Sequence, residues 1–373
     1  MPWNWELPDW PKFSYDPAQT ADLEKQFLLN TGSAIAYLKT IDKQEATQFI
    51  VEILSTEGVE SSKIEGELLD RESLQSSIKR YFGLHPHAKG ELDKETRMAN
   101  LLCSVYESFD EPVTHEMLYQ WHAILFSDSS RISDWGKYRT HEDPMQIVSN
   151  RYGSPHVFFE APPSKKVLHE MSLFIDWFNS ASSSEPILGK AAIAHIYFES
   201  IHPFEDGNGR IGRVLSEKIL SQGVEHPVLI AVSKTLEKQK KQYYAALETC
   251  NRTLDVQDWV VFFAQTVLQA RADSMNLLYF LIAKSKMLTS LSNELNPRQL
   301  KVLLRMFAEG PGGFKGGLSA ENYIAITKTT KATATRDLSD LVVKGALVKT
   351  GELRHTRYSL NLQPWNKICK GIF

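Results

Sequence analysis

The sequence predicts a mostly α-helical protein with one small β-hairpin near its middle and a helical module ending in a strand pair at its C-terminus. Three observations lead there. Apolar residues recur at helical spacing over most of the chain from about Ala18 to about Leu288. Runs of β type are short and confined to Gln146–Glu160 and Ala346–Leu360. A Gly-rich link, Gly310–Gly317, separates the last module from what precedes it. The chain has 373 residues, enough for two or three domains at about 100–200 residues each.

The elements follow in order. The first 30 residues hold Trp3, Trp5 and Trp10 among Pro2, Pro8, Pro11 and Pro17, the pattern of an extended arm. Such an arm either binds a partner or packs its indoles on a later part of the same chain, and intramolecular packing is the favoured reading. Ala46–Ser61 places Phe49, Ile50, Ile53 and Leu54 on one helical face, and Leu68–Phe82 reads as another helix. Gly83–Gly90 is a loop by its Gly and Pro content and marks a soft boundary. Glu91–Phe109 is helical. Thr114–Phe126 follows, with Thr114 as N-cap and Met117, Leu118, Trp121 and Leu125 on one stripe. Ile147-Val148 and His156–Phe159 flank the turn Asn150–Pro155, which makes a hairpin with Pro155 on its rim. Helices resume at Ser164–Ser180, Gly189–Ile201, Leu236–Asn251 and Val256 to about Leu288. The last module opens with a helix at Pro297–Phe307. Two short helices, about Ala320–Ile326 and Thr330–Lys344, and the strand pair Ala346–Thr350 and Thr356–Leu360 complete it.

Lys and Arg total 42 against 45 Asp and Glu, a net charge of −3 that excludes a uniformly basic nucleic-acid coat and a highly acidic chain. The average conceals a contrast. Pro297–Leu360 holds 11 basic and 5 acidic residues, a charge of +6, so the remainder carries −9. Cys103, Cys250 and Cys369 lie far apart, with neither zinc nor disulfide spacing, as in a reducing compartment. The N-terminus lacks the basic and apolar regions of a signal peptide. No run reaches the ~18 apolar residues of a spanning helix. The expectation is a soluble, cytoplasmic protein with no membrane role.

The chemistry concentrates in Ile201–Arg213. The helix before it is apolar and should be buried. Pro203 drives His202 out of the α region, so the helix ends there and fixes the imidazole at the end of a rigid element. Gly207-Asn208-Gly209 can take positive φ and turn backbone N–H groups into an anion nest. A new helix starts near Gly209, and its N-terminus offers free N–H groups and partial positive charge to a phosphate. Arg210 and Arg213 share one face near that end and suit phosphate oxygens. Asp206 beside a phosphate nest suits Mg²⁺. A base, a metal carboxylate, a nest and two arginines in one register fit phosphoryl or nucleotidyl transfer.

His202-Pro203-Phe204-Glu205-Asp206-Gly207-Asn208-Gly209-Arg210-Ile211-Gly212-Arg213 resembles the signature of the Fic family, H-x-F-x-[DE]-G-N-G-R-x-x-R, with every fixed position filled. The resemblance covers roughly residues 113–270. It implies a Fic-type helical core and transfer of AMP from ATP to Ser, Thr or Tyr hydroxyls of a protein, with pyrophosphate released. It makes His202 the general base, Asp206 the Mg²⁺ carboxylate, Gly207, Asn208 and Gly209 the phosphate cradle, and Arg210 and Arg213 the partners of the outer phosphates. Phe204 would anchor the loop. The hairpin Ile147–Glu160 would be a flap that docks the protein substrate by strand addition. Tyr243, Tyr244 and Asn251 match positions that contact ribose and adenine. Gly209 speaks against phosphate-transferring relatives, which carry Lys there.

Ser61-Ser62-Lys63-Ile64-Glu65-Gly66 resembles the inhibitory pattern [ST]-x-x-x-E-[GN] of Fic proteins with an N-terminal inhibitory helix. A Glu65 carboxylate on Arg213 would take the fork that the γ-phosphate needs. The segment with Pro2-Trp3-Asn4-Trp5 is similar to an N-terminal domain of unknown function found before some Fic cores. The expected divisions are 1–90, an arm and helical domain carrying the inhibitory helix; 91–290, the catalytic core; and 291–373, a module that looks like a winged helix. In that module Lys328, Lys331, Thr333, Thr335 and Arg336 could meet DNA, or the fold could serve protein interaction or dimerisation. The alternatives to AMP transfer are transfer of another nucleotide, of phosphate (against which Gly209 speaks) or of phosphocholine, and a transcription regulator that senses a nucleotide through its core and reads DNA through its C-terminal module.

Overall fold

The computed structural model describes residues 1–39, 41–84, 93–127, 132–148, 156–180 and 185–364. Most of the expected loop Gly83–Gly90, the expected turn Asn150–Pro155 and Cys369 lie outside the described residues. The described chain divides into two compact units, one of 1–40 and 50–272 and one of 41–49 and 273–373.

In the first unit, short 3₁₀ turns at Asn4–Glu6 and Pro17–Thr20 precede α1 (Ala21–Leu38). Then come α2 (Lys43–Ile64, shared at its start with the other unit), α3 (Arg71–Tyr81), α4 (Lys94–Glu107) and α5 (His115–Phe126). Asp70, Asp93 and Thr114 cap α3, α4 and α5 by accepting an N–H bond from the third residue on. Strands β1 (Gln146–Val148) and β2 (Val157–Glu160) pair antiparallel, Gln146 opposite Glu160 and Ile147 opposite Phe159. Next are α6 (Ser164–Asn179), α7 (Ile187–Ile201), α8 (Asn208–Gly223), α9 (Val232–Lys238), α10 (Lys240–Thr249) and α11 (Gln257–Ser290, whose residues from Asp273 onward belong to the other unit). The single helix expected over Leu236–Asn251 is two, because the chain leaves α-helical geometry at Gln239 (φ −110°, ψ 26°).

Helix α7 is buried almost all round and packs along α8. That is why it reads as a continuous apolar run rather than a stripe. The aromatic arm folds back onto this core. Trp3 lies edge-on to Phe159, the Trp5 indole donates to the Glu160 carbonyl at 2.7 Å, and Trp10 lies edge-on to Tyr197 and donates to Glu170 at 2.9 Å. The structure thus takes the intramolecular reading of the arm.

In the second unit, α12 (Pro297–Ala308), α13 (Ala320–Thr327) and α14 (Lys331–Val343) precede β3 (Leu347–Thr350) and β4 (Arg357–Leu360), which pair antiparallel. Asp337 on α14 joins the three helices. It is buried and accepts bonds from Arg298 at 2.9 Å, Tyr323 at 2.9 Å and Asn296, the cap of α12, at 3.2 Å. These donors hold its carboxyl below the usual range against the opposing effect of burial. Among the described residues no helix is long and apolar enough to cross a membrane.

Two buried histidines lock the first unit. His122 on α5 accepts the Gly136 N–H on Nδ1 at 2.9 Å, so its proton sits on Nε2 and points to the Asp206 carbonyl at 3.2 Å. Its ring stacks on Phe204, centroids 4.1 Å apart. His195 on α7 stacks on Trp259 and meets the Tyr243 hydroxyl at 2.9 Å. Burial pushes His122 down to about 4 and His195 to about 3, with the Arg210 and Arg213 charges adding to it.

Both histidines stay neutral in the fold while the unfolded chain binds protons below about pH 6.5. Unfolding free energy measured in urea should therefore fall as pH drops from about 6.5 towards 4, each histidine contributing up to about 1.4 kcal/mol per pH unit. His122→Gln should reduce that slope by one histidine's share, and an unchanged slope would contradict the assignment. Trp259→Ala removes a fully buried indole and its bond to the Ala192 carbonyl. It should cost about 3–5 kcal/mol in the same measurement.

Candidate active site

The site is built on the connection between α7 and α8. His202 ends α7 in the left-handed region, φ 49° and ψ 60°, with its N–H still bonded to the Phe198 carbonyl at 2.9 Å. Phe204 is fully buried. The Asn208 side chain closes the loop by accepting the Phe204 N–H at 2.9 Å and donating to the Phe204 carbonyl at 2.8 Å. Gly207 takes φ 82°, and a Cβ there would run into the Phe126 ring. Of the three expected nest residues Gly207 alone is left-handed. Asn208 and Gly209 already belong to α8, so the N–H groups available to an anion are those of a helix N-terminus.

A cavity of about 590 Å³ opens at this loop, within the range of ~300–1,000 Å³ usual for small-molecule sites. His202, Asp206, Gly207, Asn208, Gly209, Tyr243, Tyr244, Asn251 and Glu65 all line it, with Ile147, Val148 and Phe158 of the hairpin. Arg210, Arg213 and Ser61 are not among its lining residues. Tyr243 is buried, with its hydroxyl turned to His195. Asn251 donates to the Phe158 carbonyl at 2.9 Å and so ties the hairpin to the chain beyond α10.

Both motif arginines are paired with acids from the chain just after α2. Arg213 Nη2 is 2.7 Å from Glu65 Oε1, and Arg213 also donates to the Ser61 hydroxyl at 2.9 Å and the Ser61 carbonyl at 3.0 Å. Arg210 Nη1 is 2.9 Å from Glu67 Oε2. A Cβ on Gly209 would collide with the Glu65 carboxylate, so glycine is what lets that carboxylate approach α8. The two acids are aimed by the way α2 stops. Gly66 at φ 83° donates to the Lys63 carbonyl at 3.0 Å, and Glu67 N donates to the Ser62 carbonyl at 2.9 Å. This is a Schellman end, which needs Gly or Asn at the left-handed position. Lys240 and Tyr244 hold the Ile64 carbonyl at 2.6 and 3.2 Å.

Charge follows the geometry. Burial works to raise the Glu65 carboxyl, but Arg213, Arg210 and His202 outweigh it and hold the carboxyl below its usual range. Arg213 is held charged by Glu65 against the same desolvation. Burial and the Arg139 charge push His202 down to about 4, so its ring is a neutral acceptor near pH 7. Asp206 is a single, mostly exposed carboxylate at the cavity. One of its oxygens takes the Gly207 N–H at 2.5 Å and stands 3.9 Å from Arg210. Among the described residues no group of three His, Cys, Asp or Glu is placed to hold a metal. A lone carboxylate at a helix N-terminus instead fits Mg²⁺ that arrives with a nucleotide's phosphates.

Three residues of this site lie outside the sequence reading. Arg139, buried, donates to the carbonyls of His202 at 2.8 Å, Pro162 at 2.5 Å and Ile201 at 3.4 Å. Glu67 follows Glu65 by two residues. Glu199 precedes His202 by one helical turn, a spacing that could have marked it.

Residues 3–84 match the model of a domain of unknown function, DUF4172, and residues 112–220 match the Fic/DOC family. The chain is 35% identical over 127 residues to a Drosophila willistoni protein named protein adenylyltransferase Fic, covering 33% of this chain and 24% of the relative. It is 37% identical over 162 residues to protein adenylyltransferase fic-1 of Caenorhabditis briggsae, covering 43% and 28%. The match therefore spans about a quarter of the length of these relatives. A solved Fic family protein of Desulfovibrio desulfuricans G20 shares the fold with a TM-score of 0.53 at 19% identity, covering 94% of this chain and 98% of that one. The connection between α7 and α8 lies within the segment that matches the Fic/DOC family, residues 112–220, whereas Tyr243, Tyr244 and Asn251 lie beyond it and Glu65 lies in the segment that matches DUF4172.

Proposed function

We propose that this chain is a protein adenylyltransferase that moves AMP from ATP to a hydroxyl of a protein, itself included, and that Glu65 restrains it in cis. The observation that carries the reading is the convergence of His202, Asp206, the start of α8 and Tyr244 on one cavity whose two nearby arginines are each covered by an acid.

In the proposed reaction the target hydroxyl gives its proton to His202 Nε2. Its oxygen bonds to the α-phosphorus, and the bond from that phosphorus to the bridging oxygen of pyrophosphate breaks. Mg²⁺, held by Asp206 together with the phosphates, would offset charge on them. Arg210 and Arg213 would take the outer phosphates once the acids leave. The N–H groups at the start of α8 would face the phosphates. Ile147 and Val148 are exposed on β1 beside the cavity, a strand edge suited to an extended segment of the protein substrate. While Glu65 sits on Arg213, a γ-phosphate has no fork to bind and ATP can settle only in an unproductive pose.

A second reading is nucleic-acid binding by the C-terminal module. It is favoured by the +6 charge of Pro297–Leu360 and by exposed Lys331, Thr335 and Arg336 on α14. A gel shift against the protein's own upstream DNA tests it.

The main reading is tested by intact-mass analysis after incubation with each nucleoside triphosphate and Mg²⁺. Glu65→Gly should raise self-modification at least tenfold, with adducts of AMP less water and with ATP preferred. Glu67→Gln, which frees Arg210 alone, should give a smaller gain. His202→Ala in the Glu65→Gly background should abolish the adduct. No gain on loss of Glu65 would remove the restraint from the reading, and activity surviving loss of His202 would remove the base.

A further inference from the structure

Glu199 lies at the centre of the site and has no part in the reaction described above. It sits on α7 one turn before His202 and lines the cavity. Its Oε2 is 3.7 Å from His202 Nδ1, and its backbone carbonyl is 3.3 Å from the same nitrogen. Its other oxygen, Oε1, is buried without a hydrogen-bond partner. That oxygen rests against α8 where Gly212 has no side chain, and a Cβ on Gly212 would come within 2.9 Å of it. A carboxyl held this way, against a ring nitrogen and with a lone pair to spare, is placed to act on the ring.

We propose that Glu199 is a positioning residue for His202 and that Glu65 governs it. The inference rests on the reading of His202 as the base. An ionised carboxylate can only accept. Next to Nδ1 it holds the ring proton there, leaves the lone pair on Nε2 and makes that lone pair more basic. A neutral carboxyl can itself donate, and it supplies no charge to oppose burial of the imidazolium.

The charges around Glu199 decide its state. Glu65 faces it from the end of α2, Arg213 from α8, Tyr243 and Tyr244 from α10, and His195 and His202 from its own helix. Arg139 acts on the His202 side. Burial first, then the Glu65 charge, push Glu199 up to about 8 against the pull of Arg213. With Glu65 in place the carboxyl is thus neutral near pH 7. Withdrawal of Glu65 removes one of the two raising causes and leaves Arg213 to favour ionisation. The segment after α2 would then restrain the enzyme twice, at the γ-phosphate site and at the base.

The sign of one titration separates this from a purely structural role. The Glu65 charge is itself among the groups that raise the His202 pKa. Its loss removes a raising cause, while water entering its place would relieve burial, so the comparison with and without Glu199→Gln isolates the part that an ionising Glu199 supplies. The full-length protein, ¹⁵N-labelled at histidine, is titrated by NMR as wild type, Glu65→Gly, and Glu65→Gly with Glu199→Gln. The proposal expects the His202 ring of Glu65→Gly to titrate at least about tenfold more weakly acidic than in wild type, with the proton on Nδ1. Adding Glu199→Gln should reverse that shift, leave the His122 tautomer unchanged as a control of folding, and lower kcat of self-modification by about 10–100-fold with the KM for ATP unchanged within twofold. A His202 pKa that falls in Glu65→Gly, or that rises equally with Glu199→Gln present, overturns the proposal. The titration needs no turnover. A protein that transfers no AMP but shows the shift would sink the proposed reaction and leave the coupling standing.

Discussion

His202 can face the cavity only because residues 202–207 have no freedom to do anything else. The chain must turn between two buried helices, α7 and α8, and every backbone polar group in that turn needs a partner away from water. Side chains supply them. Asn208 takes both polar groups of Phe204, His122 takes the Asp206 carbonyl, and Arg139 takes the carbonyls at 201 and 202. Desolvation lowers the Arg139 guanidinium to about 10, and it remains charged at neutral pH. A buried cation satisfied by carbonyls and the Ser164 hydroxyl, with no acid beside it, is a costly way to hold a loop. Here the same charge also disfavours protonation of His202, so the device that fixes the ring also keeps it a neutral acceptor.

The second constraint is how α2 ends. Gly66 terminates the helix in the left-handed region, and the turn that follows aims Glu65 at Arg213 and Glu67 at Arg210. The glycine after Glu65 is thus a geometric need. A β-branched residue there would be strained and the carboxylate would point elsewhere. Gly209 is the matching need on the other side, since a side chain would occupy the space that the Glu65 carboxylate fills. Two glycines far apart in sequence therefore serve one contact.

Much of this was legible in the sequence because motif residues act through type and spacing. His202 at a helix end before proline, the glycine at 207 and the arginines one turn apart on α8 all lie where a linear reading places them. The arm's tryptophans were also readable, as apolar mass with nowhere else to go. Other residues were hidden for physical reasons. Apart from the Ser164 hydroxyl, Arg139 acts through backbone carbonyls, which any sequence supplies, so little in the chain marks its partners. His122 sits beside the apolar stripe of α5, and Phe204, Phe126 and the Gly136 N–H close around its ring. Nothing in the sequence sets Glu67 apart from other acids, and the left-handed turn at Gly66 is what brings it round to Arg210. The break between α9 and α10 was missed because residues on both sides of Gln239 are good helix formers, and tertiary packing outweighed their propensity.

The exposure of the two ion pairs is lopsided, and this bears on how the site can open. The arginine side chains are 9% exposed for Arg210 and 3% for Arg213, while those of Glu67 and Glu65 are 36% and 31% exposed. Removing an acid returns a carboxylate to water at little cost, but it strands a buried guanidinium, which is strongly unfavourable. Arg213 keeps its bonds to Ser61, a neutral partner, when Glu65 leaves, and Glu199 is the acid that still acts on it. The site therefore demands an anion at all times, either the carboxylate of its own chain or an oxygen of a bound phosphate. Spontaneous opening is disfavoured, whereas exchange of one anion for another is nearly balanced. If the segment after α2 restrains the site as proposed, a trigger would need only to shift α2 enough to tip that exchange. The Ile64 carbonyl, held by Lys240 and Tyr244 at the cavity edge, is the contact where occupancy of the site and the position of α2 meet.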